Sequence, residues 1–344
     1  MKRVLIIRPS AIGDIVMASP MIRVLREAWP RAVIAWLADP SVRCLLDHHP
    51  ALDEVICWPK EQWRQLAKQG RYVRLGGKIT AFSRDLRQRR FDLALDAQGL
   101  LRSRLLAWLS GANVRIGFES REPGRHLMTR IVSRGPNSRE MSSEYRHLMR
   151  MLKLDPGKFA PEIVLSPSDR DAAREIRNGH GLQNRYAVIC PFTTRPQKHW
   201  IEARWAETAA RLTTEFDLAV VLLGGPPDAA AGRRIRSLTG IRIVDLTGRT
   251  TLTQAAALVE QAALVIGVDT GMTHLGTAFD RPTIALFGAT CPYLETPSSR
   301  TIVIYNRQAC SPCKRKPTCA GRYDCMQAIA GDDVLQAVRR LMEN

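Results

Sequence analysis

Lys2-Arg3-Val4-Leu5-Ile6-Ile7-Arg8-Pro9-Ser10-Ala11-Ile12-Gly13-Asp14, near the start of the chain, decides the fold. Val4–Ile7 is a short, unbroken apolar run of the kind buried on both faces of a parallel sheet. Arg8 and Pro9 end it, a short polar loop with one glycine follows, and a helical pattern comes next over 17–28. The unit is therefore strand, loop, helix. It recurs outward along the chain. Val33–Leu37 and Leu93–Leu95 read as further strands, and Leu100–Leu109 as a helix. The pattern starts again near Tyr186, with strands expected at 186–190, 218–223, 241–244, 264–268 and 283–287. Helices are expected at 205–213 and 252–262. Alternation of this kind predicts an α/β fold: two doubly wound parallel sheets with helices on both faces, and ligands at the carboxyl ends of strands. The segment 155–171, rich in proline and charge, sets the expected boundary, giving domains 1–167 and 168–330 and a final helix in 331–344.

The size and composition agree. The chain has 344 residues, 45% hydrophobic and 24% charged, enough to bury a core without disulfide staples. No apolar run approaches the ~20 residues of a membrane span, and no signal peptide is evident, so the expected location is the cytoplasm. Fifty-one Lys+Arg against 33 Asp+Glu leave a net charge of +18, which favours an anionic partner. Between Arg64 and Arg90 stand nine cations, Lys68 among them, and one anion, Asp85. That stretch reads either as a solvated basic face or as a contact surface for phosphates. With no aromatic stacking platform beside it, nucleic acid is not expected.

Four loops could carry chemistry. Asp14, after the first strand, serves either as a helix N-cap or as a general base at a strand's carboxyl end. Gly13 beside it permits a tight turn. Thr193-Thr194-Arg195-Pro196-Gln197-Lys198-His199-Trp200 follows the strand at 186–190; two hydroxyls and two cations there suit a phosphate clamp or are loop-surface groups. Val268-Asp269-Thr270-Gly271-Met272-Thr273-His274 again leads from strand to helix, and backbone N–H groups from Thr270 and Gly271 onward form an anion site for a pyrophosphate. Asp269 there is a cap or an acceptor for sugar hydroxyls, and His274 faces the phosphates or the core. Gly224-Gly225-Pro226-Pro227-Asp228 marks one more strand-end turn.

Cys310, Cys313, Cys319 and Cys325 form C-x2-C-x5-C-x5-C. Structural zinc is one reading, reduced thiols or local disulfides the others; the spacing departs from common zinc templates. Cys44, Cys57, Cys190 and Cys291 read as small buried residues. Neither G-x-G-x-x-G nor G-x-x-x-x-G-K-[ST], H-E-x-x-H or G-x-S-x-G is present, which leaves nicotinamide, kinase-like, zinc-peptidase and esterase chemistry without signatures.

These motifs together resemble the heptosyltransferases of glycosyltransferase family 9, over nearly the whole chain. Arg8–Pro20 is similar to the family's opening motif. Asp96–Leu100 and Ser120–Pro123 resemble the heptosyltransferase I branch, and Thr193–Trp200, Val268–Leu275 and Arg281–Gly288 the donor site. The cysteine tail, Cys310–Met326, is closer to heptosyltransferase II. The resemblance implies a GT-B fold of two Rossmann-like domains facing across a cleft, acceptor on the first and nucleotide sugar on the second, with the last helix packing back on the first. It implies inverting transfer of heptose from ADP-heptose to the Kdo-lipid A core of lipopolysaccharide. Asp14 would be the base. Lys198, Thr193, Thr194, Thr270, Gly271 and His274 would hold the diphosphate, and Asp269 the donor sugar. Gly13, Arg64, Lys68 and Arg121 would meet the acceptor. No metal would be required, and the basic face would draw the enzyme to the anionic inner leaflet, leaving it cytoplasmic and peripheral. Alternatives are another family 9 transferase, heptosyltransferase II-like or using a different sugar nucleotide, or, outside the class, a basic protein that binds nucleic acid or anionic lipid.

Overall fold

The computed structural model describes residues 2–136, 139–290, 293–313 and 316–343. The chain divides into two compact units, one of Met1–Asn137 with Ser142–Val164, the other of Ser138–Met141 with Leu165–Asn344. The first holds six parallel strands, β1 (Arg3–Ile7), β2 (Val33–Ala38), β3 (Glu54–Cys57), β4 (Leu93–Asp96), β5 (Val114–Phe118) and β6 (Arg130–Val132). Their order is β3-β2-β1-β4-β5-β6. β1 is central, with Val4 opposite Ile34 on one side and Leu93 on the other, and Val4–Ile7 are wholly buried. The second unit repeats the plan with β7 (Tyr186–Cys190), β8 (Ala219–Leu222), β9 (Ile243–Asp245), β10 (Leu264–Val268), β11 (Thr283–Phe287) and β12 (Thr301–Tyr305), in the order β12-β11-β10-β7-β8-β9. This is the doubly wound α/β architecture read from the apolar runs.

In each sheet the chain winds outward three strands, returns to the centre and winds the other way. The reversal falls between β1 and β4 in the first sheet and between β7 and β10 in the second. Loops leaving adjacent strands diverge there, which opens a crevice at the carboxyl edge.

Several local expectations change. The helix expected over 17–28 is two, Ile12–Ala18 and Pro20–Ala28. Pro20, at the first position of the second helix, has no N–H to continue the ladder. The basic stretch forms the helices Lys60–Lys68 and Tyr72–Gln88, and on the longer one only Leu86 is fully buried. The boundary segment contains the start of the helix Pro167–Gly179. Ser166 caps it by accepting from the Asp169 N–H at 3.1 Å, and the Asp169 carboxylate accepts the Ser166 N–H at 3.2 Å. In the last helix, Gly331–Met342, Val334, Ala337 and Val338 lie in the core of the second unit, with Trp205, Leu212 and Leu286.

Candidate active site

At the first unit's reversal point, Asp14 is the third residue of its helix rather than the cap, which is Ala11. Its Oδ2 accepts the Ala11 N–H at 3.0 Å and pairs with the Arg8 guanidinium at 2.6 Å. Oδ1 has no hydrogen-bond partner among the described residues. The Arg8 side chain is 9% exposed and that of Asp14 36%, so the arginine lies beneath a carboxylate that opens outward. Burial opposes the charge on Arg8; Tyr145, Asp14 and Glu144 more than offset it, and the guanidinium stays protonated. Gly13 lies in the same helical turn. Asp96, at the end of β4, is fully buried, and burial raises its carboxyl above the usual range. Its Oδ1 accepts the N–H groups of Gln98 and Gly99 at 3.0 and 2.9 Å and shapes the adjoining turn.

Arg64 and Lys68 are exposed on the helix Lys60–Lys68, where Arg64 pairs with Glu61 at 2.8 Å. Arg121 is exposed in the turn after β5. Arg104, buried beneath that turn, donates to the carbonyls of Phe118, Glu122 and Pro123 at 3.1, 2.7 and 2.9 Å. Among the described residues no hydrogen bond or ion pair ties Arg64, Lys68 or Arg121 to Asp14.

The second reversal point brings three of the singled-out residues together. Lys198, in the loop after β7, lies with its Nζ 2.6 Å from Asp269 Oδ2 and 3.3 Å from the Asp269 carbonyl. Asp269 follows β10. Its Oδ1 is 3.2 Å from His274 Nε2, and its Oδ2 also accepts the Thr290 hydroxyl at 2.6 Å. On the far side of the imidazole, Nδ1 is 2.6 Å from the Tyr293 hydroxyl. Burial works to raise the Asp269 carboxyl, but His274 and Lys198 overcome it and hold the group well below the usual carboxylate range. Burial, together with the charge of Asp269, pushes the Tyr293 phenol well up, so it remains an O–H. The cap of the helix Gly271–Ala278 is Thr270, not Asp269, and its side chain makes no cap bond. His274 is buried one turn in. Thr193 is half-buried and Thr194 exposed, with the Thr193 carbonyl 2.9 Å from His199 Nε2.

Three partners escaped the sequence reading. Arg8 stood in the quoted motif without a role. Thr290 and Tyr293 lie in the loop after β11, and no local spacing connects them to Asp269 or His274. The Gly224–Asp228 turn is closed locally, Asp228 Oδ2 accepting the Gly225 N–H at 2.9 Å. In the cysteine tail, Cys319 and Cys325 are buried and Cys313 Sγ lies 3.8 Å from the Ala289 carbonyl. Among the described residues no three His, Cys, Asp or Glu side chains converge as a metal-holding group, so the zinc reading finds no assembled site. Cys190 is buried and Cys44 and Cys57 half-buried; Cys291 lies outside the described residues.

Residues 79–324 match the model of glycosyltransferase family 9 (heptosyltransferase). Lipopolysaccharide heptosyltransferase 1 of Salmonella typhimurium is 30% identical over 297 residues, covering 85% of this chain and 90% of that protein. Lipopolysaccharide heptosyltransferase 2 of the same organism is 26% identical over 355 residues, covering 99% and 98%. The structure of E. coli ADP-heptose lps heptosyltransferase II superposes with a TM-score of 0.75 at 25% identity, over 100% of this chain and 99% of that one. Family model, relatives and the paired parallel sheets agree: the chain is a glycosyltransferase and belongs to family 9, the heptosyltransferases.

Proposed function

We propose that the protein transfers L-glycero-D-manno-heptose from ADP-heptose to the Kdo-lipid A inner core of lipopolysaccharide, with inversion at the anomeric carbon. The observation that carries this reading is Lys198, an ammonium at 16% exposure held 2.6 Å from Asp269 at a reversal point, beside the helix start at Thr270 and Gly271. A diphosphate leaving group needs donors fixed in advance where its charge develops. Lys198, the backbone N–H groups at Gly271 onward, and the hydroxyls of Thr193 and Thr194 supply them, with His274 nearby. Asp269 positions Lys198 and His274 together. A carboxylate offers about four acceptor sites; the protein uses three, leaving one on Oδ1 for a donor-sugar hydroxyl.

Asp14 takes the proton of the acceptor hydroxyl on Oδ1 while Arg8 and the Ala11 N–H anchor Oδ2. The acceptor oxygen attacks the anomeric carbon, the bond to the phosphate oxygen breaks, and ADP departs. Gly13, Arg64, Lys68 and Arg121 bind the acceptor's phosphates and carboxylates. Fixed cations and a helix start neutralise the diphosphate, and turnover proceeds without a divalent metal. The enzyme works at the cytoplasmic face of the inner membrane.

The test is ADP release and acceptor mass measured together, with purified protein, ADP-heptose and Kdo-lipid A. A heptose increment on that acceptor is the expected result. Turnover only on an already heptosylated core would replace this reading with a second-heptose enzyme, which the cysteine tail and the full-length match to heptosyltransferase 2 favour. Absence of donor binding would overturn both.

A further inference from the structure

Beyond Lys68, the elbow between the helices Lys60–Lys68 and Tyr72–Gln88 has no part in the machinery above, and it carries exposed apolar side chains. Gly70, at φ +67°, closes the turn, its N–H donating to the Ala67 carbonyl at 3.1 Å while the Arg71 N–H reaches the Leu66 carbonyl at 2.9 Å. The second helix then begins with Tyr72 and Val73, 69% and 92% exposed. Two adjacent apolar side chains thus stand open to solvent at the start of the helix. Around this apolar tip stand Lys68, Arg71, Arg74 and Lys78, all exposed. Lys68 acts on the Glu61 carboxylate, but Arg71, Arg74 and Lys78 have no ion-pair partner among the described residues, whereas Arg64 and Arg89, the latter just past the second helix, are paired. Six of the nine cations between Arg64 and Arg90 have no ion-pair partner among the described residues.

The topology sets the direction of the elbow. The helix Lys60–Lys68 leaves the carboxyl end of β3, and the helix Tyr72–Gln88 returns toward the amino end of β4. Tyr72 and Val73 therefore point from the carboxyl edge of the sheet, the edge that carries Asp14. An apolar tip ringed by unneutralised cations suits a bilayer with anionic headgroups: the ring meets lipid phosphates and the tip enters the acyl boundary. Nucleic acid would satisfy the cations but leave Val73 without use.

We infer that this elbow is a membrane-docking wedge, in which Tyr72 and Val73 insert into an anionic lipid surface and Arg71, Arg74 and Lys78 hold its phosphates. The inference deepens the proposed function, whose acceptor is a lipid, but it has its own readout. The full chain is sedimented with vesicles of phosphatidylcholine alone and of phosphatidylcholine with phosphatidylglycerol. Wild type should bind the anionic vesicles at least ~10-fold more tightly. The double variant Tyr72→Ser/Val73→Asp should lose about tenfold of that affinity, and Arg71→Gln/Arg74→Gln about fivefold for each charge removed. Both variants change exposed positions, and an unchanged melting temperature confirms that the fold survives. On vesicle-embedded acceptor the first variant should turn over slowly, and on a deacylated, water-soluble acceptor at the wild-type rate. Vesicle binding that ignores Tyr72 and Val73, or tighter binding to duplex DNA than to vesicles, would overturn the wedge. Wedge-dependent binding with no heptose transfer to either acceptor would instead overturn the function and leave the wedge standing.

Discussion

Asp14 and Lys198 are each half of an ion pair, and that pairing decides what their removal does. Asp14→Asn keeps the shape of the helical turn but removes the proton acceptor. Transfer should fall by ~10²–10⁴, the worth of a positioned general base, while calorimetric ADP-heptose binding stays within a few fold. Substantial transfer by this variant would remove Asp14 as base. Lys198→Ala should cost ~10²–10³ in kcat, as for the loss of one fixed donor to a developing anion. It also strands Asp269 in a buried site, so the variant should melt lower as well. Tyr293→Phe probes a position that no motif announced. The Tyr293 hydroxyl lies 2.6 Å from His274 Nδ1 while Asp269 Oδ1 lies 3.2 Å from Nε2, so the phenol helps to orient the ring that faces Asp269. The variant should lower kcat several-fold with little change in acceptor KM; an unchanged kcat would mean that Tyr293 only fills space. Asp14, Lys198 and Asp269 were legible because each sits one loop beyond an unmistakable strand. Thr290 and Tyr293 were not, because their roles are contacts made by folding, between loops that leave different strands; Arg8 stands six residues before Asp14, and only the folded loop brings its guanidinium against that carboxylate.

Among the elements, legibility followed burial. Strands covered on both faces, such as β1, β7 and β10, announce themselves as unbroken apolar runs. The edge strands β3, β6 and β12, and β5 beside the edge, are only partly buried, so their sequences carry a diluted signal and none was anticipated, whereas the edge strand β9 was expected over 241–244. The helix Tyr72–Gln88 keeps so little of itself in the core that its apolar spacing hardly registers. Elements at the centre are instead fixed by close approach. A Cβ placed on Gly267 in β10 would lie 2.1 Å from Thr273 Oγ1 and 2.8 Å from Cys190 Cβ. The hydroxyl cannot simply turn away, since it donates to the Val268 carbonyl at 2.7 Å. Gly267→Ala should therefore destabilise the protein by ~1–3 kcal/mol and move the helix Gly271–Ala278 together with Asp269, so kcat should fall along with the denaturation midpoint. A full-rate, full-stability Gly267→Ala protein would show that β10 and this helix yield more easily than the packing allows.

For the whole molecule, one winding scheme is used twice, and each copy holds a carboxylate paired with a cation where the winding reverses. The two copies differ in how their central carboxylates are held, and acid should separate them. Asp269, in the second unit, has its carboxyl depressed by His274 and Lys198. Such a group stabilises the fold fully above its unfolded value near ~3.9, and that contribution is lost as pH falls toward the depressed folded value. Asp96, in the first unit, has its carboxyl raised by burial. Its effect has the opposite sign: the folded state is favoured at low pH and penalised as pH rises through the folded value. With two units, unfolding need not be a single transition. Denaturation followed by amide exchange below pH 4 should show protection in β7 and β10 falling before protection in β1 and β4. Asp269→Asn, which has no proton to take up, should flatten the acid dependence of the second unit while leaving that of the first unchanged. Equal acid loss in both units, or a dependence that survives Asp269→Asn, would show that the acid sensitivity arises from the general charge of +18 rather than from this one buried carboxylate.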